Sequence, residues 1–328
     1  MIKVALDAMG GDNAPDEIVA GAILARKCVN TDITLVGDKS RISALLERFD
    51  SPYSFPVVHA SEVVDMNELP SEALRKKKDA SIFIATKLVA EGKCDAVVSA
   101  GSTGAQMAGA LFILGRIKGV DRPAITTVFP TINGKYCLLS DSGAVPDAKP
   151  RNLMDFARLS SAYCRIAYGI EEPRVGLVNI GEEAEKGSEL TKATHQLLTK
   201  SELNFVGNVE PSNLLKGDAD VFVCDGFTGN VVLKCIEGIS SDLMGLLKDS
   251  ISSSFTSKIG GLLIKRSINK IKGMLDYSEY GGAPLLGVNG LSIISHGRSN
   301  RKAIASAIKL AVTCAKNKLN QNLTQAMQ

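Results

Sequence analysis

The sequence predicts an α/β fold: a mostly parallel sheet with helices on both faces, a three-layer α/β/α sandwich. Short Val/Ile/Leu-rich runs alternate with stretches of helical apolar periodicity along most of the chain. Glycine-containing turns follow directly on several of those runs, as tight strand-to-helix connections require. A composition 45% apolar and 5% aromatic, with no tryptophan, suits a core of Val, Ile, Leu and Ala.

The elements follow in order. Strands are expected at 2–6, 32–37, 95–99, 124–129, 136–140, 174–179, 203–206 and 219–223, with 285–294 as one strand or two. Helices are expected at 15–29, 39–48, 79–91, 103–114, 152–169, 187–199, 228–251 and 299–318. In the helix opening near Thr228, residues Val232, Cys235, Ile236, Ile239, Leu243, Leu246 and Leu247 recur at spacings of three and four and mark the expected buried face. A length of 328 residues accommodates one large α/β domain or two smaller ones. The alternation continues across Pro146–Pro150, so one domain over 1–328 is expected, with 252–278 as an insertion.

Composition narrows the function classes. A net charge of +3 gives no argument for nucleic acid. The seven cysteines form no C-x-x-C pair and read as small, mostly buried residues of a reducing compartment. The chain enters a strand at Ile2, which argues against a signal peptide, and no run of 18 apolar residues occurs. No metal-ligand spacing is present; Asp7 and Asp12 are read as turn caps, and no metal or cofactor is expected.

In an α/β sheet, ligands gather at the carboxyl ends of strands. Five turns stand there: Asp7–Asp12, including Gly10 and Gly11; Ser99–Ala105, including Gly101, Ser102, Thr103 and Gly104; Asn179–Gly187; Asp225–Asn230, including Gly226, Thr228 and Gly229; and Ser295–Ser299. They are expected to converge on one edge of the sheet. The hydroxyls and amides of Ser99, Ser102, Thr103, Thr228, Asn230 and Ser299 are suitable donors to phosphate oxygens. Lys186 and Arg298 add positive charge. The turn at Cys224–Gly238 is the most telling, because a glycine turn opening a long helix offers free N–H groups and a positive dipole end.

Neither a G-x-x-x-x-G-K-[ST] loop nor a G-x-G-x-x-G after a strand occurs, which argues against Walker-type and dinucleotide sites. No G-x-S-x-G elbow offers a serine nucleophile, so acyl chemistry would use a bound external nucleophile. His195 lies in a helical pattern as a surface or packing residue, whereas His296 sits in a glycine turn.

Residues 255–275 contain Lys258, Lys265, Arg266, Lys270 and Lys272 and no acidic residue. Gly260-Gly261 is expected to break the segment. Phe255 and Ile259 precede the pair, Leu262 and Leu263 follow it, and Ile264, Ile268, Ile271 and Leu275 share a helical stripe. A basic helix with an apolar stripe fits an anionic membrane surface, an acidic protein or a dimer partner. Arg75-Lys76-Lys77-Lys78 is a second basic run.

Asp7-Ala-Met-Gly-Gly-Asp12-Asn-Ala-Pro15, Asn179-Ile-Gly-Glu-Glu183 with Lys186-Gly187, Cys224 to Lys234, and Glu279 to Gly290 followed by His296-Gly297 resemble the bacterial acyl-ACP:phosphate acyltransferases, the PlsX family. The resemblance runs nearly end to end. It departs at Ser102, where the family usually has Asn, and at Val145, where Asn commonly follows Gly-Ala. The resemblance implies a fold related to phosphotransacetylases and isocitrate-dehydrogenase-like proteins. It implies transfer of an acyl group from acyl carrier protein to inorganic phosphate, with phosphate as the direct nucleophile. The acyl phosphate would feed a membrane glycerol-3-phosphate acyltransferase. It further implies a homodimer, cytosolic and peripherally attached to the membrane. Lys186 and Asn230 are implied as catalytic, with His296 assisting. Two other readings are a nicotinamide-dependent dehydrogenase on the related fold and a non-catalytic membrane-bound scaffold.

Overall fold

A computed structural model describes residues 1–275 and 281–328; the side chains of 269–275 are not described. The side chains of Lys270 and Lys272, residues 276–278 of the insertion, and Glu279 and Tyr280 of the last motif therefore lie outside what is described.

One sheet runs in the order β3-β2-β1-β4-β11-β10-β5-β6-β9-β7-β8. Its strands are β1 Lys3–Asp7, β2 Asp32–Gly37, β3 Val57–His59, β4 Ala96–Ser99, β5 Ala124–Pro130, β6 Tyr136–Ser140, β7 Val175–Val178, β8 Phe205–Val209, β9 Val221–Val223, β10 Ala283–Leu286 and β11 Leu291–Ile294. The 285–294 run is thus a hairpin of two strands, and β8 lies later than expected. The helices are α1 Asp16–Cys28, α2 Lys39–Arg48, α3 Pro70–Lys76, α4 Ser81–Ala90, α5 Thr103–Gly109, α6 Pro150–Tyr168, α7 Glu189–Thr199, α8 Gly226–Ser252, α9 Phe255–Leu275, α10 Arg301–Lys316 and α11 Leu319–Ala326. The expected helix 103–114 is α-helical only to Gly109 and ends in a π-turn at Ala110–Leu114. β3, α3 and α11 carry too few apolar residues to stand out in the sequence.

Successive strand residues point to opposite faces. Val4 and Leu6 belong to the core cluster on one face with α1, α6 and α10, and Ala5 to the cluster on the other with α4 and α5. β4, β7, β9 and β11 are buried along their whole length. Continuous apolar runs are what strands covered on both sides need.

The pairing is parallel except at β11/β10, β10/β5 and β5/β6. Three reversals leave β1, β2, β3, β4 and β11 running one way and β6, β7, β8 and β9 the other. The two sets therefore direct their carboxyl ends in opposite directions. This corrects the expectation of a single functional edge: turns from the two sets meet over the central strands β10 and β5.

α8 also differs from expectation. Ile239, Leu243 and Leu246, assigned to a buried face, are exposed. Only the first turns of α8, through Val232, Leu233 and Ile236, pack on the sheet; the remainder pairs with α9. The Gly260-Gly261 pair does not break α9, which is continuous from Phe255 to Leu275. Gly261 faces Ile251 of α8 where no Cβ would fit, so it serves close helix approach. Five cysteines are buried, and Cys28 and Cys235 are exposed.

Candidate active site

The turns after β1 and β4 are locked to each other. The buried Ser99 hydroxyl donates to Asp7 Oδ2 at 2.6 Å, and Gly101 N–H donates back to Ser99 Oγ at 3.0 Å. Burial raises the Asp7 carboxyl above its usual range, against the pull of hydrogen bonds from Ser81 and Ser99. The two turns touch backbone to backbone: a Cβ on Gly101 would stand 3.2 Å from Gly10 Cα. Gly11 adopts a φ of +112°, open to glycine. Ser102 Oγ caps α5 by accepting from Ala105 N–H at 3.4 Å, and Gly104 packs beneath Pro70 of α3. Asp7, Gly10, Gly11, Ser99, Ser102 and Gly104 thus build and aim the turn; Gly101 and Thr103 are the members that line a cavity.

From the opposing strand set, the buried Asp141 carboxylate after β6 collects backbone N–H groups from Ile125 (3.0 Å), Gly143 (3.1 Å), Ala144 (2.9 Å) and Val145 (2.6 Å). Burial nevertheless pushes this carboxyl up to about 6. Asp225 caps α8, accepting from Thr228 N–H and from the Thr228 hydroxyl, both at 2.8 Å. Gly226 donates its N–H to Val145 O at 2.9 Å, and Gly229 lies against the Asp141 carbonyl. The backbone of Val145 therefore clamps α8, a role that needs no polar side chain. Asp225, Gly226, Thr228 and Gly229 fix the first turn of α8, and Asn230 projects from it into the cavity.

Four and seven residues after Asn230, on the same helix face, Lys234 and Glu237 also line the cavity. Lys234 Nζ lies 2.8 Å from Glu237 Oε2 and 3.1 Å from His296 Nε2. His296 Nδ1 accepts from Arg298 N–H at 3.1 Å. Burial and then the Lys234 charge lower the His296 pKa, favouring the neutral ring.

The cavity measures about 470 Å³. Its polar lining includes Thr103, Ser142, Asn230, Lys234, His296 and Ser299. Its apolar wall comes from Ile125, Val128, Phe129, Leu215, Leu233 and Ile236. Four of the five sequence turns contribute to it, the first through Asp12. Lys186 does not line it: in the loop after β7 its side chain is exposed, and its carbonyl accepts from Asn179 Nδ2 at 3.0 Å. Lys234 and Glu237 were missed in the sequence, although their spacing at i+4 and i+7 from Asn230 could have pointed to them. No sequence signal linked Asp141, Ser142 and Gly143 to α8, because that contact joins distant segments.

His195 stacks edge-on with Phe205, 5.1 Å between ring centroids, consistent with a packing role. In the basic run 75–78, Lys76 pairs with Glu72 and Lys77 with Glu68, so part of its charge is neutralised locally. In α9, Lys258, Ile259, Leu262, Leu263, Lys265 and Arg266 are exposed and Ile268 is half-buried. No helix among the described residues is long and apolar enough to cross a membrane.

The chain is similar to known proteins over nearly its whole length. A family model described as "Fatty acid synthesis protein" matches residues 2–322. The phosphate acyltransferase of Desulfitobacterium hafniense strain DCB-2 is 53% identical over 317 residues, covering 96% of this chain and 95% of that protein. That of Desulforamulus reducens is 51% identical over 328 residues, covering 100% and 97%. Among solved structures, a phosphotransacetylase from Streptococcus pyogenes superposes with a TM-score of 0.62 over 97% of this chain and 94% of its own, at 16% identity, which identifies the fold. With end-to-end identity near one half, the chain belongs to the fatty acid synthesis protein family of bacterial phosphate acyltransferases, the PlsX family.

Proposed function

We propose that the protein transfers an acyl group from the thioester of acyl carrier protein to inorganic phosphate, yielding acyl phosphate and free carrier protein. The observation that carries this reading is one cavity lined both by polar groups, Asn230, Lys234 and His296 among them, and by apolar side chains that suit an acyl chain. A phosphate oxygen attacks the thioester carbonyl carbon. A C–O bond forms, the C–S bond breaks, and the phosphate proton passes to the departing sulfur. Rate gain comes from holding the anion beside the carbonyl and from donors to the developing oxyanion. Asn230 is the side-chain amide for that oxyanion, and neutral His296 is a suitable proton carrier. Lys186, placed outside the cavity lining, is assigned to neutralising phosphate charge on the strength of the family motif alone.

The deciding experiment incubates acyl-carrier protein with enzyme, with and without phosphate, and traps acyl phosphate with hydroxylamine. Trapped product that depends on phosphate supports the reading; thioester loss indifferent to phosphate removes it. Lys186→Ala, if folded and fully active, leaves the mechanism without Lys186. A dehydrogenase on the related fold would bind NADH, which a fluorescence titration detects.

The same reading extends to location. The exposed apolar residues of α8 and α9, with Lys258, Lys265 and Arg266 beside them, suit a homodimer contact and peripheral attachment of a cytosolic enzyme to an anionic membrane. The acyl phosphate would there reach a membrane acyl-phosphate:glycerol-3-phosphate acyltransferase. The insertion 252–278, within a single domain 1–328, would be the attachment device.

A further inference from the structure

We infer that a phosphate group is held against the turn between β11 and α10 by the Ser299 hydroxyl and the Lys234 ammonium. The inference rests on the acyl-transfer reading for its role and on local hydrogen bonding for its place.

Ser299 is 2% exposed and lines the cavity, yet its Oγ has no hydrogen-bond partner among the described residues. A buried hydroxyl left unpaired is unfavourable, and such groups in native folds commonly await a ligand or water. Several other polar groups of the turn are already committed. Ser299 N–H donates to His296 O at 2.9 Å, Asp12 N–H donates to Gly297 O at 2.8 Å, and Asn13 Nδ2 donates to the carbonyls of Arg298 (3.3 Å) and Ser299 (3.4 Å). The first N–H groups of α10 are also spent: those of Lys302 and Ala303 go to Asn300 Oδ1 at 3.0 Å each, and that of Arg301 goes to Glu17 Oε2 at 2.7 Å. Among these groups the Ser299 hydroxyl is the donor left without a partner.

Lys234 supplies the charge. Its ammonium has three N–H donors. Glu237 takes one, and a second faces His296 Nε2. A neutral imidazole has one acceptor nitrogen, so it cannot accept from both Lys234 and the Arg298 N–H that approaches Nδ1. Lys234 therefore keeps an N–H beyond these two contacts, beside the carboxylates of Asp12 and Glu237 that also line the cavity. A phosphate group offers acceptor oxygens to the Ser299 hydroxyl and negative charge to the Lys234 ammonium. The chemistry fits free inorganic phosphate or a phosphate diester on the arm of the acyl donor; we assign inorganic phosphate.

The test uses full-length enzyme with Ser299→Ala and Lys234→Gln, each measured for KM toward phosphate and toward acyl donor, and for phosphate-induced thermal stabilisation without donor. Expected are at least tenfold higher phosphate KM, unchanged donor KM, and loss of stabilisation by phosphate. Ser299→Ala, which only removes an unpaired hydroxyl, should melt no lower than wild type, separating ligand binding from folding. A donor KM that rises while phosphate KM stays constant would move the subsite to the donor's arm and overturn the assignment. Wild-type phosphate KM in both variants, or a wild-type enzyme that phosphate fails to stabilise, also overturns it. Phosphate binding that needs both residues, with no acyl phosphate formed, would leave the subsite standing and remove the reaction.

Discussion

Replacing Gly226 by alanine tests whether the Asp141 loop sets the position of Asn230. An added Cβ would meet Asp141 Oδ2 at 2.7 Å, Val145 N at 2.8 Å and Val145 C at 3.0 Å. Asp141 Oδ2 cannot swing away without releasing the 2.6 Å bond from Val145 N–H. Reaching the 3.4 Å of ordinary contact therefore moves the start of α8 by about 0.7 Å relative to that loop. Overpacking of this kind costs about 1–3 kcal/mol. Alanine recovers about 0.4–1 kcal/mol through the unfolded chain, because Gly226 has no positive φ. The expected net loss is about 0–2.5 kcal/mol. Catalysis should suffer more: misplacement by about 1 Å can cost about 100-fold, so about 0.7 Å at the turn bearing Asn230 corresponds to tenfold or more. Hydroxylamine trapping gives the rate, and urea unfolding gives the stability. Gly229→Ala, whose Cβ would overlap the Asp141 carbonyl oxygen, should be worse on both counts. A Gly226→Ala enzyme that is more stable than wild type and equally active would refute the clamp.

Ser99→Ala leaves Asp7 Oδ2 and Gly101 N–H without their shared buried partner; a loss of about 1–3 kcal/mol in urea unfolding is expected, and an unchanged midpoint would show that the turn is held otherwise. Asp141 has a folded-state pKa raised from 3.8 to about 6, so its stabilising contribution is full below 3.8 and is lost as pH rises through about 6. Wild-type stability minus that of Asp141→Asn should accordingly fall between pH 4 and pH 7, by on the order of 3 kcal/mol; a difference constant with pH contradicts this. Leu262→Glu with Leu263→Glu, at positions 72% and 80% exposed, should abolish flotation with anionic liposomes while sparing the fold, and undiminished flotation would move any membrane contact elsewhere.

Much of the fold was legible because strands buried on both faces must be apolar throughout and the helices between them must carry a stripe. β1, β2, β4, β5 and β6 fell within a residue of expectation. The glycine turn at Asp225–Asn230 was legible for the same kind of reason: local backbone geometry restricts which residues can stand there. Periodicity misled at Ile239, Leu243 and Leu246, since a 3.6-residue stripe reports an apolar face and not what covers it. It also gave no warning that Gly260-Gly261 would continue a helix, because that outcome depends on Ile251 across the hairpin.

The sequence by itself determined the strand–turn–helix units, the donors in their turns, and the family. Tertiary structure decided which turns share a cavity. Three antiparallel steps in the middle of the sheet oppose two parallel sets, so the turns after β1, β4, β6, β9 and β11 meet over β10 and β5 while the turn bearing Lys186 stays outside. That selection moved the cavity's ammonium from Lys186 to Lys234 and left Ser299 buried and unpaired beside it. Strand direction is set by pairing partners as distant in the chain as Ala96 and Leu291, and no local pattern of residues encodes it.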